Sequence, residues 1–235
     1  MSSERSLDGK TILVTGGAGF IGSHFIRMVL RRHPSARVVN LDKLTYAGNL
    51  DNLHDVQDNP RYEFILGDIR DKALVRRVFA RVQGVVHFSA ETHVDRSIYD
   101  AGEFVLSNAL EGKTIPLFGD GLNVRDWLYV EDHCLAVEAA VLRGRHGSVY
   151  NVGGGVELTN IEVARRILAA LDAARELIQF VPDRPGHDRR YAMDSGLIRA
   201  LGWEPETPFA EGLKKTVRWY ASNMSWWRKV RTRSL

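Results

Sequence analysis

The sequence predicts an α/β fold built on a Rossmann-like, doubly wound parallel sheet. Three observations predict it. Apolar runs of strand length alternate with helical patterns through residues 10–91. The first run empties into a glycine-rich turn, "TGGAGFIG", at residues 15–22. The second run ends in an acid, Asp42, 20 residues past the last of those glycines.

Each element follows from its local pattern. "KTILVTGG", residues 10–17, is a short apolar run closed by glycine, as a strand buried on both faces requires. A helix follows with Ile21, Phe25, Met28 and Val29 on one face, and Pro34 ends it. "RVVNLD", residues 37–42, is the second strand, and "YEFILGDI", residues 62–69, the third. Asp71 is placed to cap a helix carrying Leu74, Val75, Val78 and Val82. "GVVHFSAE", residues 84–91, is the fourth strand. Strand, helix and strand repeated in this way give a parallel sheet with right-handed crossovers.

The first turn carries binding chemistry. Its glycines fall at Gly16, Gly19 and Gly22. Gly16 permits the tight turn, Gly19 lets the backbone approach a pyrophosphate, and Gly22 lets helix and strand close on each other. The helix N-terminus then offers N–H groups and partial positive charge to phosphates. A carboxylate at Asp42 can bond both ribose hydroxyls and disfavours a 2′-phosphate, so the expected cofactor is NAD rather than NADP. Asp68, at the end of the third strand, could accept a bond from the adenine amino group. Glu91 and Thr92 end the fourth strand, on the carboxyl edge where ligands lie. No G-x-x-x-x-G-K-[ST] pattern is present, which excludes a P-loop.

Composition narrows the class. The chain has 235 residues, 44% of them hydrophobic and 26% charged, with formal net charge +3. That length supports one sizeable core, or a core with a small lobe. The positive charge is scattered, so no nucleic-acid partner is expected, and the basic run "RKVRTR" at residues 228–233 reads as a solvated, ragged end. A single cysteine, Cys134, rules out an intramolecular disulfide and a cysteine-rich metal site. The polar N-terminus and the lack of any apolar run near 18 residues point to a cytoplasmic protein with no membrane association.

"TGGAGFIGSH", "LDKLTYAGNL", "SAETHVDRSI", "NALEGKTIPLFGDGLNVRDWLYVEDH", "YNVGGG" and "PDRPGHDRRYAMD" resemble the dTDP-glucose 4,6-dehydratases of the extended short-chain dehydrogenase/reductase superfamily. The resemblance runs over residues 10–227 and breaks at one place. Within "GEFVLSNALEGK", residues 102–113, Val105 runs directly into Leu106. The family carries there a strand with Thr-Asp-Glu, a helix with Tyr-x-x-x-Lys and a further strand. At roughly 30 residues for each strand-plus-helix unit, on the order of a hundred residues are missing. The expected sheet is therefore truncated after about the fourth strand, and a smaller α/β substrate lobe follows. The division expected is residues 1–105 for NAD and 106–235 for the nucleotide sugar.

The resemblance also implies site residues. Toward NAD these are Gly16, Gly19, Phe20, Ile21, Gly22, Asp42, Lys43, Leu44, Thr45, Asp68, Ile69, Phe88, Ser89, Ala90 and Thr92. Toward the dTDP-sugar they are Glu91, Pro116, Phe118, Arg125, Asn160, Asp183, Arg184 and His187, with Arg125 on the diphosphate. Arg184 sits in a Pro-Gly turn that fixes its loop. "VEDH", residues 130–133, is read as a helix opening rather than a catalytic cluster. Trp127, Trp203 and Trp219 are read as packing residues.

The family oxidises the sugar at C4 by hydride transfer to NAD, removes water across C5 and C6, and returns the hydride to C6. None of the seven tyrosines has lysine four residues later, and no Thr-Asp-Glu follows a strand. No catalytic residue is therefore assigned. The expectation is a family member inactive alone, with an impaired homodimer contact and a bared fourth-strand edge. Two alternatives stand beside it: a noncatalytic NAD or nucleotide-sugar binding module, and an active sugar-nucleotide enzyme with a rearranged site.

Overall fold

The first strand of the computed structural model, β1 (Thr11–Thr15), is the pivot of the sheet. The structure describes residues 6–45, 47–90, 101–183 and 185–233, with side chains left undescribed at 101–104 and 230–233. β2 (Arg37–Asp42), β3 (Tyr62–Leu66) and β4 (Gly84–His87) join β1 in the order β3-β2-β1-β4, every pairing parallel. That order, with the chain returning to the far side of β1, is the beginning of a doubly wound sheet.

The strands β1, β3 and β4 are shorter than their apolar runs. Leu66 ends β3 and His87 ends β4, so Asp68, Phe88, Ser89 and Ala90 lie in loops just past the carboxyl edge. Glu91 and Thr92 fall outside the described residues. Among the described residues β4 is an edge strand with β1 as its one partner, and Val85 is 43% exposed. This is the sheet expected to stop at the fourth strand.

Helices set by local sequence pack against the sheet. α1 (Phe20–Arg32) buries Phe25, Ile26 and Val29, which follow helical spacing. α2 (Lys72–Phe79) begins where the Asp71 carboxylate accepts from the Ala73 and Leu74 N–H groups, as the sequence predicts. Its Val78 joins Leu13, Val39 and Leu41 in a small core, with Leu74, Val75 and Val82 against it.

Two compact units result, Met1–Thr92 with Val137–His146, and His93–Ala136 with Gly147–Leu235. α3 (Ala101–Leu110) runs unbroken across the Val105–Leu106 junction. Val105 is 4% exposed and Leu106 is 2% exposed, and both belong to the core of the second unit. That core also takes Ile115 and Leu117 from β5 (Ile115–Phe118), Ile161, Ile167 and Leu168 from α5 (Asn160–Ala170), and Val217 from α7 (Phe209–Ser222).

α4 (Val130–Arg143) contributes its later half to the first unit. There Glu138 Oε1 lies 2.8 Å from His33 Nε2, and the other carboxylate oxygen lies 3.3 Å from Arg32 Nη2. In the second unit, β8 (Ile178–Val181) pairs in parallel with β5. β6 (Val124–Asp126) pairs antiparallel with β7 (Glu157–Thr159) and parallel with β9 (Arg190–Tyr191).

Three side-chain expectations change. Asp132 of the "VEDH" stretch does more than open α4. Its buried carboxylate accepts from the Glu206 and Thr207 N–H groups, and its carbonyl accepts from Trp203 Nε1. Trp219 is 44% exposed and meets Tyr220 and Trp226 edge-on, so it is not a core residue as Trp203 is. The basic tail is not ragged at residue 228. It lies in α8 (Met224–Arg233), held by Trp227, whose Nε1 donates to the Tyr220 carbonyl.

One pH dependence follows from α1. Burial, reinforced by Arg27, lowers the His24 pKa from 6.5 to about 4. The folded chain keeps this ring neutral where the unfolded chain protonates it. Its contribution is intact above about pH 6.5 and is lost as pH falls toward 4. Through His24 the chain is expected to lose about 2 kcal/mol between pH 7 and pH 5. Urea midpoints at the two pH values, compared with those of His24→Gln, check this. The variant should lose markedly less over that interval.

Candidate functional site

The glycine turn is built as a cradle. Gly16 has φ +69° and donates its N–H to the Leu41 carbonyl at 3.1 Å. A Cβ at Gly16 would stand 2.7 Å from the Ser89 nitrogen. A Cβ at Gly22 would stand 2.4 Å from the Gly16 carbonyl oxygen, and one at Gly19 3.2 Å from the same oxygen. At Gly16 and Gly22 the turn, the first turn of α1 and the chain after β4 thus approach to distances only glycine allows, and Gly19 is closely packed. α1 has no side-chain cap at Gly19, so its N-terminal dipole faces the turn unneutralised. Phe20 and Ile21 open the helix, and the Phe20 ring is exposed.

Asp42 ends β2 beside this turn and is 8% exposed. One carboxylate oxygen accepts from the Ala18 N–H at 3.0 Å, the other from the Leu44 N–H at 2.8 Å. A carboxylate offers about four acceptor positions, so two remain for hydroxyl donors. Leu44 adopts φ +54°, a left-handed conformation uncommon outside glycine, held here by that bond. The chain then folds back, and Asn49 N–H and Asn52 Nδ2 both donate to the Ala18 carbonyl. Neither contact is visible in the sequence, because both depend on the path of residues 44–52. Thr45 is exposed on that path.

Asp68 is engaged differently from its expected role. Arg70 chelates it at 2.7 and 3.0 Å, and Lys43 Nζ lies 2.9 Å away. The Arg70 hydrogen bonds, then that of Lys43, hold its carboxyl well below the usual carboxylate range. Its charge is already matched, and Ile69 beside it is exposed. On the other side of the turn, Phe88 meets Phe25 edge-on with centroids 5.5 Å apart, while Ser89 and Ala90 follow. The sequence did not mark His87, whose Nδ1 lies 2.5 Å from Thr15 Oγ1.

The second unit holds the other predicted group. Pro116 and Phe118 lie on β5 and are half-buried. The Phe118 ring meets the His187 ring edge-on at 6.2 Å, and His187 Nδ1 lies 2.7 Å from Asp183 Oδ1. A Cβ at Gly119 would stand 3.0 Å from the Asp183 carboxylate, which fixes the turn after β5. Arg184 falls outside the described residues.

Asn160 begins α5 and donates its N–H to the Asn123 carbonyl. The Oδ1 atoms of Asn160 and Asn123 are both buried with no hydrogen-bond partner among the described residues. Such acceptors are costly unless something donates to them. Arg125 Nη1 donates to the Val124 and Asp188 carbonyls at 2.8 and 3.0 Å. Beside it is a cavity of about 110 Å³ lined by Arg125, Asp126, Leu128, Val152, Gly153, Tyr191 and Met193. Among the described residues no group of acidic, histidine and cysteine side chains is arranged to hold a metal.

Comparison with known proteins places the whole chain. The family model described as GDP-mannose 4,6 dehydratase matches residues 13–111 and 103–216, two pieces that meet on α3. A Streptomyces niveus dTDP-glucose 4,6-dehydratase is 35% identical over 321 aligned positions, covering 94% of this chain and 96% of the relative. Since 94% of 235 residues is about 221, about 100 of those positions face a gap in this chain. A Neisseria meningitidis dTDP-glucose 4,6-dehydratase is 37% identical, again covering 94% of this chain and 96% of the relative.

Among solved structures, the Bacillus anthracis dTDP-glucose 4,6-dehydratase in complex with NAD superposes with a TM-score of 0.87 at 33% identity, covering 94% of this chain and 100% of that one. The Streptomyces venezuelae dTDP-glucose 4,6-dehydratase with NAD and TYD bound gives 0.87 at 34%, covering 94% and 99%. With the glycine cradle, the acid beside it and these relatives in agreement, the chain belongs to the dTDP-glucose 4,6-dehydratase family.

Proposed function

We propose that this chain binds NAD and a dTDP-sugar as its family does, but does not by itself complete the 4,6-dehydration. The observation that carries the binding half is the glycine cradle with Asp42 buried against it. The residues fit the cofactor. The α1 N-terminus favours the pyrophosphate, Asp42 keeps acceptor positions for a ribose, and the loop at Phe88 to Ala90 borders the far end. NAD, when bound, supplies the acceptor for the C4 hydride. Asn160, Arg125, Phe118, Asp183 and His187 are proposed to hold the nucleotide. The catalytic half is carried by the sequence, which has no Tyr-x-x-x-Lys.

Glu91, Thr92 and Arg184 stay in the proposed site on family grounds alone. We place the chain in the cytoplasm, which suits a protein whose one cysteine is buried and in no disulfide. A homodimer contact that relies on the absent helix is proposed to be impaired. No helix among the described residues is long and apolar enough to cross a membrane.

Titration calorimetry of the purified chain tests the cofactor assignment. NAD is expected to bind roughly tenfold or more tightly than NADP, because Asp42 repels a 2′-phosphate. Asp42→Asn, which keeps an acceptor but drops the charge, should narrow that gap. Equal affinity for the two dinucleotides in the unsubstituted chain would refute the role given to Asp42.

A further inference from the structure

We propose that Tyr191 is the positioning residue for the anion-binding fork of Arg125; this rests on the nucleotide-sugar reading above. Parallel pairing of β6 with β9 sets Arg125 directly opposite Tyr191. The guanidinium carbon lies 5.9 Å from the centre of the Tyr191 ring. Nη1 is spent on the Val124 and Asp188 carbonyls. Two restraints therefore act on one planar group: carbonyls grip one edge and an aromatic ring borders its side. No bond of Nε or Nη2 is seen among the described residues, and Arg125 and Tyr191 both line one cavity.

A free arginine carries about 2 kcal/mol of rotamer entropy, which an anion must overcome on binding. A guanidinium already oriented by a ring and two carbonyls loses less, so the same contact binds more tightly. The one acid lining the cavity, Asp126, is engaged by the segment that leads into β7. Its Oδ1 accepts from the Val156 N–H at 3.1 Å, and its Oδ2 stands 2.2 Å from where a Gly153 Cβ would be. The ring also distinguishes the two ends of the ligand. The proposed base-side residues Phe118 and His187 pack on each other, while Tyr191 borders Arg125, so a change at Tyr191 should be felt at the diphosphate alone.

Calorimetry with dTDP and with thymidine tests this on the 235-residue chain. Tyr191→Phe keeps the ring and is expected to bind dTDP within twofold of the unsubstituted chain. Tyr191→Leu keeps an apolar strand residue but no π face. It is expected to bind dTDP about fivefold more weakly, the share an exposed cation–π contact supplies. Thymidine affinity should stay the same in all three. A general structural loss would weaken both ligands together, and that result overturns the proposal. So does unchanged dTDP binding by Tyr191→Leu while the unsubstituted chain binds dTDP well. Failure of the unsubstituted chain to bind either ligand overturns the nucleotide reading, and this inference with it.

Discussion

Incubated with dTDP-glucose and NAD, the purified chain is expected to yield no detectable 4-keto-6-deoxy product and no transient NADH absorbance. The first step needs a base at the C4 hydroxyl near neutral pH. An ordinary tyrosine has a pKa of about 10, so at pH 7 only roughly 0.1% of it is phenolate unless a cation lies beside it. The residues four positions after the seven tyrosines are Leu50, Leu66, Glu103, His133, Gly154, Ser195 and Met224, none of them cationic at lysine's strength. Tyr62 and Tyr129 move the wrong way: burial, assisted by nearby carboxylates, raises the pKa of each.

Other candidate bases fare no better. Burial lifts the Cys134 thiol to about 12, and burial lowers the pKa of His133 in α4, which weakens it as a base. General acid–base catalysis contributes about 10² to 10⁴ per group, and this reaction uses several, so their joint loss takes turnover below detection. Mass spectrometry of the nucleotide pool after prolonged incubation measures it. Turnover within about a hundredfold of an intact relative would falsify the assignment. That outcome would favour the rearranged-site alternative and send the search to a base supplied from distant segments.

The glycine cradle and the acid beside it were readable because their signals are local. Gly16, Gly19, Gly22 and Asp42 act through spacing along one strand–turn–helix–strand unit, and spacing is what a sequence displays. The ion pairs of Asp68 were not legible, because its partners, Lys43 and Arg70, are brought in by loops whose paths no periodicity reports. Asp132 and Glu138 were beyond reach for the same reason. Each meets its partner across more than 70 residues of chain. The edge exposure of β4 followed from the missing segment, whereas the burial of both Val105 and Leu106 in one helix of the second unit did not. The α3 sequence AGEFVLSNAL mixes apolar residues with Glu103, Ser107 and Asn108 and shows no clean apolar stripe from which to read its partner.

The second large effect is expected at Gly22. A Cβ there would meet the Gly16 carbonyl oxygen at 2.4 Å and the Gly17 Cα at 2.8 Å, both backbone atoms with no flexible side chain to yield. Relief requires α1 to move off β1. Yet Phe25, Ile26 and Val29 of the same helix are fully buried, and Gly16 is held by Leu41. Overpacking of this kind costs about 1–3 kcal/mol, of which alanine's better helix propensity returns up to about 1. Gly22→Ala should therefore destabilise the chain by about 2 kcal/mol and weaken NAD by at least roughly a hundredfold, because the helix N-terminus is displaced from the pyrophosphate. Gly112→Ala is the matched control. Gly112 has φ +63° but no atom within 4 Å of its added Cβ, so it should lose about 1 kcal/mol to backbone strain and leave NAD affinity untouched. Urea unfolding and calorimetry on the two variants separate close packing from backbone conformation. If Gly22→Ala bound NAD as tightly as Gly112→Ala, the close approach at the turn would not be what admits the cofactor.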